Sequence, residues 1–306
     1  MLPKVSGVRF AALAAALTAF TVPAVLGAAE DGIAKTSEVF SMRGMNVFRR
    51  FDVEDANKMF EFYGVVLGHR QQQTFDVGGG ANNGAGVTTF EAGAQQVKLT
   101  RRTANRRYES GGVKAATGVR LLTFFYPDEK ALSDRFAEHG YPRPEFKDYA
   151  GKRIAVVNDP DGQPVELVIE PNDPDAYRRI EVGLTVSNLE KSLDFYRNFV
   201  GLEELPPQDD PVFGTKVYPF RNGTTTVELR HFGDNLPADT GSGGIQYVVS
   251  DVEAVNALAI ERGVTIDQPL STLRGFSLRT VWLDDPDGIT NYFAQTGVRT
   301  SQNAPQ

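Results

Sequence analysis

Glu166 stands seven residues after Asp159, the first residue of an Asp-Pro-Asp-Gly turn. A second Asp-Pro-Asp-Gly opens at Asp285 and carries Tyr292 at the same offset. A carboxyl group on an inward-facing strand takes up protons more readily than it does in water, which suits general-base chemistry. The rest of the reactive inventory is thin. The chain has three histidines, His69, His139 and His231, and no cysteine. That excludes a thiolate nucleophile, a disulfide framework, a cysteine zinc site and a lipidated cysteine anchor. His69 follows a helix break, and His139 lies near a helix end where a cation offsets the dipole; both read as structural. His231 lies three residues after Glu228, so strand alternation turns it to the opposite face from that glutamate. The glycine-rich run Gly78 to Gly86 lacks a following lysine and helix, and reads as a hairpin loop rather than a phosphate cradle.

The elements that must position these groups repeat along the chain. Phe51 to Arg70 and Leu184 to Glu204 each start as a strand, turn at Asp55 or Asn188, and run as an amphipathic helix through a Phe-Tyr pair to Gly68 or Gly201. Asp55 and Asn188 suit helix N-caps, and the glycines suit C-terminal breaks. Leu121 to Tyr141 and Ile245 to Val264 repeat the strand-cap-helix order, with caps at Asp128 and Asp251. After each helix come short β-rich runs with hairpin glycines. The pattern predicts an α+β fold of four βαβββ units with mostly antiparallel, curled sheets. The expected organisation is a first domain over 45–172 and a second over 178–296, preceded by a flexible linker at 30–44 and followed by a tail from 297.

Four such units, "LTVSNLEKSLDFYRNFVGL", the two "DPDG" hairpins and the "VELV" after the first resemble the vicinal oxygen chelate superfamily, the glyoxalase, bleomycin-resistance and extradiol-dioxygenase group. The resemblance spans Val47 to Ala294. It implies sheets that curl round a small-molecule cavity. In metal-using members it implies histidine or glutamate at defined slots on the first and last strands of the units.

Carried onto this chain, the slots of the first half hold Phe48, Lys98, Leu121 and Glu166. Those of the second half hold Glu181, Glu228, Gly244 and Tyr292. Glu181 and Glu228 are the candidate metal pair, for a weakly held Mg²⁺, Mn²⁺ or Zn²⁺ ion. No firm cofactor follows, and a two-histidine, one-carboxylate iron face is absent. Without a metal, Glu166, Glu181 and Glu228 are the candidate acid/base groups, and a facing pair would share a proton. Glu166 has a plainer reading too, as an ion-pair partner of Lys98 across a common cavity. Arg50 and Lys98 are candidate binders of a carboxylate, phosphate or phenolate, with Gln246 and Tyr292 as hydrogen-bonding groups.

Composition narrows the setting. The 306 residues carry a net charge of −7, and no basic-aromatic stripe stands out, which argues against a nucleic-acid partner. Lys4 and Arg9 precede an apolar run that ends in small residues at Gly27 to Ala29, the pattern of a cleaved signal peptide over 1–29. Export implies a periplasmic or secreted protein with no membrane attachment after cleavage, as a monomer or homodimer. The functional expectation is a lyase or isomerase acting on a small organic molecule. The alternative is a binding protein that sequesters one, as bleomycin-resistance members do.

Overall fold

The computed structural model describes residues 32–75, 86–273 and 276–298. The proposed signal peptide, most of the Gly78–Gly86 loop and all but the start of the tail lie outside them. Along the chain come β1 (Asn46–Phe51), α1 (Ala56–Glu61), β2 (Gln71–Phe75), β3 (Val87–Ala92), β4 (Gln95–Arg101) and β5 (Gly118–Tyr126). Next come α2 (Glu129–Glu138), β6 (Lys147–Tyr149), β7 (Lys152–Asn158), β8 (Pro164–Ile169), β9 (Ile180–Val186) and α3 (Leu189–Asp194). Then β10 (Glu203–Glu204), β11 (Gln208–Asp210), β12 (Thr215–Asn222), β13 (Thr225–His231) and β14 (Gly243–Val249) lead to α4 (Val252–Arg262), β15 (Thr265–Leu273), β16 (Leu278–Asp284) and β17 (Thr290–Thr296). The α+β class and the four strand-helix-strand units are as expected. Among the described residues no helix is long and apolar enough to cross a membrane.

The helices start where their caps are. Asp55, Asp128, Asn188 and Asp251 each accept a hydrogen bond from a backbone N–H two or three residues on, at 2.9–3.1 Å. The first and third helices widen into a π turn at their Phe-Tyr pairs, over Phe62–Val66 and Phe195–Val200. Gly68 and Gly201 follow with φ near +80°, where a side chain would be strained.

The sheets do not follow the sequence halves. Sheet A runs β15-β16-β17-β14-β1-β4-β3-β2, joining the first and fourth units. Sheet B runs β10-β12-β13-β9-β5-β8-β7-β6, joining the second and third, with β11 beside β12. The junctions are antiparallel, β1 against β14 and β5 against β9. All four helices pack on one face of the sheets, in a core shared by both.

The opposite, helix-free faces curl into two cups. In sheet A, Phe75 on β2 meets Phe276 beyond β15 with ring centroids 5.9 Å apart, so the two edges touch. Arg106, after β4, also pairs with Asp267 on β15. In sheet B, Tyr149 on β6 and Val212 after β11, from opposite edges, pack on one small cluster of Phe125, Ile154, Val168 and Ala176.

What ties the sequence halves internally is the repeated pair of motifs. Asp159 Oδ1 accepts from the N–H groups of Asp161 and Gln163, and its Oδ2 accepts from the Tyr63 hydroxyl at 3.0 Å. Asp285 does the same with Asp287, Ile289 and the Tyr196 hydroxyl at 3.1 Å. Asp161 and Asp287 accept from the chain leaving β1 and β9, at Asp52 and Ser187. Each "DPDG" is therefore a clasp from the last hairpin of one unit to the helix of the unit before it. Residues 32–44, expected to be a flexible linker, pack on the body. Thr36 is buried and donates to Val200 O, and Phe40 stacks on Tyr247 at 5.3 Å.

Candidate functional site

Because each sheet unites different halves, Glu166, Glu181 and Glu228 all fall on the helix-free face of sheet B. Paired registers place Val156, Glu166, Thr123, Glu181 and Thr226 side by side on β7, β8, β5, β9 and β13. Glu228 lies two residues beyond Thr226 on the same face. Lys98 and Glu166 are on different sheets, so the expected ion pair between them does not form. The expectation rested on each half enclosing its own cavity, and the pairing of β1 with β14 and β5 with β9 rules that out.

The centre of the sheet B cup is Arg230, which the sequence reading did not single out. It is two residues after Glu228, so alternation alone puts it on the same face. Its side chain is 4% exposed. Nε donates to Asp210 at 2.7 Å, and Nη2 lies 2.8 Å from Glu228 Oε2. Nη1 is buried with no hydrogen-bond partner. The room for it comes from Gly183, where an added Cβ would fall 2.9 Å from Nη1 and 2.7 Å from Leu121 Cβ. Gly183→Ala is accordingly expected to cost about 1–3 kcal/mol through overpacking, read as a lowered midpoint of chemical unfolding.

The surrounding acids differ in proton affinity. Glu166 accepts from the Thr123 hydroxyl at 3.0 Å. Burial pushes its carboxyl up to about 7; Arg230 opposes this and Glu228 adds to it. Burial also raises Glu181 well above the ordinary carboxylate range, with Glu228 and Glu166 adding repulsion and Arg230 opposing it. Glu166 is thus poised to titrate near neutral pH beside a second acid whose proton affinity is also raised.

The donor set does not fit a resident divalent ion. Glu228, half of the candidate metal pair with Glu181, already faces a guanidinium at 2.8 Å. Among the described residues no three His, Asp or Glu side chains lie close enough to share an ion. None of the histidines is in either cup's row. His69 is buried against Phe124 at 4.6 Å, and burial lowers its imidazole to about 4. His139 and His231 bond to Glu61 and Asp234.

Sheet A carries the other candidates, with a different chemistry at matching positions. Registers place Trp282, Tyr292, Gln246 and Asn46 in one row, and Phe48 beside Lys98 in the next. Tyr292 stands where sheet B has Glu166, Asn46 where it has Glu181, and Lys98 where it has Glu228. Arg50 shares this face, but its guanidinium is engaged by the protein. It donates to Gly243 O at 2.6 Å and Thr240 O at 3.2 Å, and burial lowers it to about 9. The expected role of Arg50 as a free anion binder is corrected on that ground: its donors close the β1–β14 junction instead. It pairs with neither Asp52, which Arg102 holds, nor Glu166.

The family model for the Glyoxalase/Bleomycin resistance protein/Dioxygenase superfamily matches residues 50–167 and 179–293. The lactoylglutathione lyase of Neisseria meningitidis is 29% identical over 124 residues, covering 39% of this chain and 90% of that protein. One from Oryza sativa subsp. japonica is 28% identical over 145 residues, covering 44% of this chain and 49% of that one. Among solved structures, glyoxalase I from Zea mays superposes with a TM-score of 0.64 at 21% identity, covering 83% of this chain and 92% of that one. A putative dioxygenase from Bacillus subtilis superposes with 0.61 at 16% identity, covering 87% of each. These structural matches establish the fold. With the family model matching most of the chain in two repeats, this protein belongs to the Glyoxalase/Bleomycin resistance protein/Dioxygenase superfamily.

Proposed function

We propose that the sheet B cup is a catalytic site of lyase or isomerase type that moves a proton between adjacent carbons of a small hydroxycarbonyl compound. The observation that carries this is the convergence of Glu166, Glu181 and Glu228 on one buried arginine with an unused donor. Glu166, with a proton affinity near neutrality, takes the C–H proton as base. Glu181, whose proton affinity burial raises, returns one to the neighbouring carbon. Arg230 Nη1 donates to the oxygen on which negative charge develops. The guanidinium thus supplies positive charge to the site from the chain itself.

Similarity to lactoylglutathione lyases suggests the substrate class. S-Lactoylglutathione is a 2-hydroxyacyl thioester. It differs from the hemithioacetal of a 2-oxoaldehyde by one C–H proton moved to the next carbon and one hydroxyl proton moved between the two oxygens, through an enediol and with no oxidant. We read the protein as a monomer or homodimer, since each sheet is built from both halves of one chain. We place the protein in the periplasm or outside the cell, on the strength of the leader read in residues 1–29.

The test is deuterium incorporation at C2 of S-lactoylglutathione in heavy water, followed by NMR. Glu166→Gln is expected to slow exchange by about 10²–10⁴-fold. The wild-type rate is expected to rise through about pH 7 as Glu166 loses its proton. Saturable binding with no exchange would instead establish the sequestration reading, and wild-type exchange by Glu166→Gln would remove the assigned base.

A further inference from the structure

The sheet A cup shares no residue with the acidic one. On its helix-free face Phe48, Tyr292 and Ala294 form a hydrophobic cluster of their own, with Leu278 and Trp282 against it. Tyr292 is edge-on to Phe48 at 5.8 Å and 4.8 Å from Trp282, so the three rings make one wall. A wall of three aromatics set apart from the core is more than sheet packing needs.

Lys98 lies beside this wall, with Nζ 5.6 Å from the centre of the Phe48 ring. Among the described residues it has no ion pair and no hydrogen bond, and burial alone lowers its ammonium to about 8. The acids of this cup are occupied elsewhere or stand apart from Lys98. Asp267 pairs with Arg106, and Asp284 sits in the same row but four strands away. Other polar atoms here are also unused. Thr100 Oγ1 and Asp284 Oδ1 are buried without partners. The Gln246 amide oxygen accepts from Asn46 Nδ2 at 2.9 Å, while its own N–H groups and the Tyr292 hydroxyl make no hydrogen bond among the described residues. A desolvated cation with no counter-charge is costly unless an anion completes it.

The geometry points to a second binding site in sheet A for a planar aromatic carboxylate, its ring against Phe48, Tyr292 and Trp282 and its carboxylate on Lys98 Nζ. The counter-charge is supplied by the ligand rather than by the protein. The edge contact between Phe75 and Phe276 closes the cup from the side.

Trp282 is the only tryptophan in the chain, so fluorescence excited selectively at the indole, beyond tyrosine absorption, reports on this cup. The probe is 2-naphthoate, titrated into the full protein by calorimetry and by quenching of Trp282. 2-Naphthamide serves as the neutral control. The expected result is saturable quenching by naphthoate, at least tenfold tighter than the amide. Lys98→Met should remove that preference, and Lys98→Arg should retain part of it. Because Lys98 has no protein partner, Lys98→Met is expected to fold at least as well as wild type, read by its unfolding midpoint. Glu166→Gln should bind naphthoate unchanged, which separates this site from the acidic one. Equal affinity for acid and amide, an unchanged preference in Lys98→Met, or no saturable quenching would overturn the assignment.

Discussion

Arg230→Met is expected to lower the proton-exchange rate by about 10²–10³-fold, the range found for removing one donor aimed at developing charge. The effect has two separable parts. The Nη1 group, unpartnered among the described residues, is the donor assigned to a substrate oxygen. The same guanidinium also holds down the proton affinity of Glu166 and Glu181. Without it the acids repel one another unopposed, so the rising limb of the pH profile moves above pH 7. A merely structural loss would lower the rate at every pH without moving the limb. Arg230→Lys keeps a charge but lacks the fork that reaches Asp210 and Glu228 together, and should recover the limb more fully than the rate. Chelators should leave the wild-type rate unchanged, because the positive charge is part of the chain. A wild-type rate in Arg230→Met would end this account.

Asp159→Ala is expected to destabilise the protein by about 3–5 kcal/mol, the cost of leaving a buried charge without its partner. The stranded charge is Arg49, whose side chain is fully buried. Its Nε is 3.6 Å from Asp159 Oδ2 and donates to the Tyr63 hydroxyl, while Nη1 and Nη2 are taken by Gln163 Oε1 and Pro164 O. The second clasp has no such cation: β1 aligns with β9 so that Leu184 stands where Arg49 does. Burial instead pushes Asp285 up to about 7, so it is partly neutral at working pH. Asp285→Ala should therefore cost less, about 1–3 kcal/mol for a lost buried hydrogen-bonding group. Urea unfolding of the two variants side by side measures the difference. Equal losses would mean that Arg49 does not depend on Asp159.

Local signals in the sequence were reliable where the physics is local. All four helix caps, the closing glycines and the strand-helix-strand order could be read from short windows. The partnership of Tyr63 with Asp159 could not, since 96 residues separate them; only the co-occurrence of the two motifs in both halves hinted at it. Counting back seven from the caps puts Glu181 on the helix-free face, but its row contains Thr123 rather than Leu121, and its counterpart in sheet A is Asn46 rather than Phe48. A shift of two keeps the face, so the correct side of each strand was still chosen. The grouping of the three glutamates was hidden for a different reason. Which strands meet at β1–β14 and β5–β9 depends on how whole units dock, and no short window encodes it. Arg230 was legible by alternation from Glu228, but it is not a residue type that a search for metal ligands looks for.

The crossed composition of the sheets bears on how the two cups came to differ. Each cup has one wall from the first half of the chain and one from the second. A change in either half therefore alters one wall of one cup and leaves the companion cup untouched. Starting from two equivalent sites after a duplication, the lineage could keep acids on the inner pair of units while the outer pair drifted to lysine, tyrosine and glutamine. Neither half carries a whole site, so neither could be lost or exchanged without disabling both. The same arrangement that let the sites diverge in chemistry has bound the halves to a common inheritance.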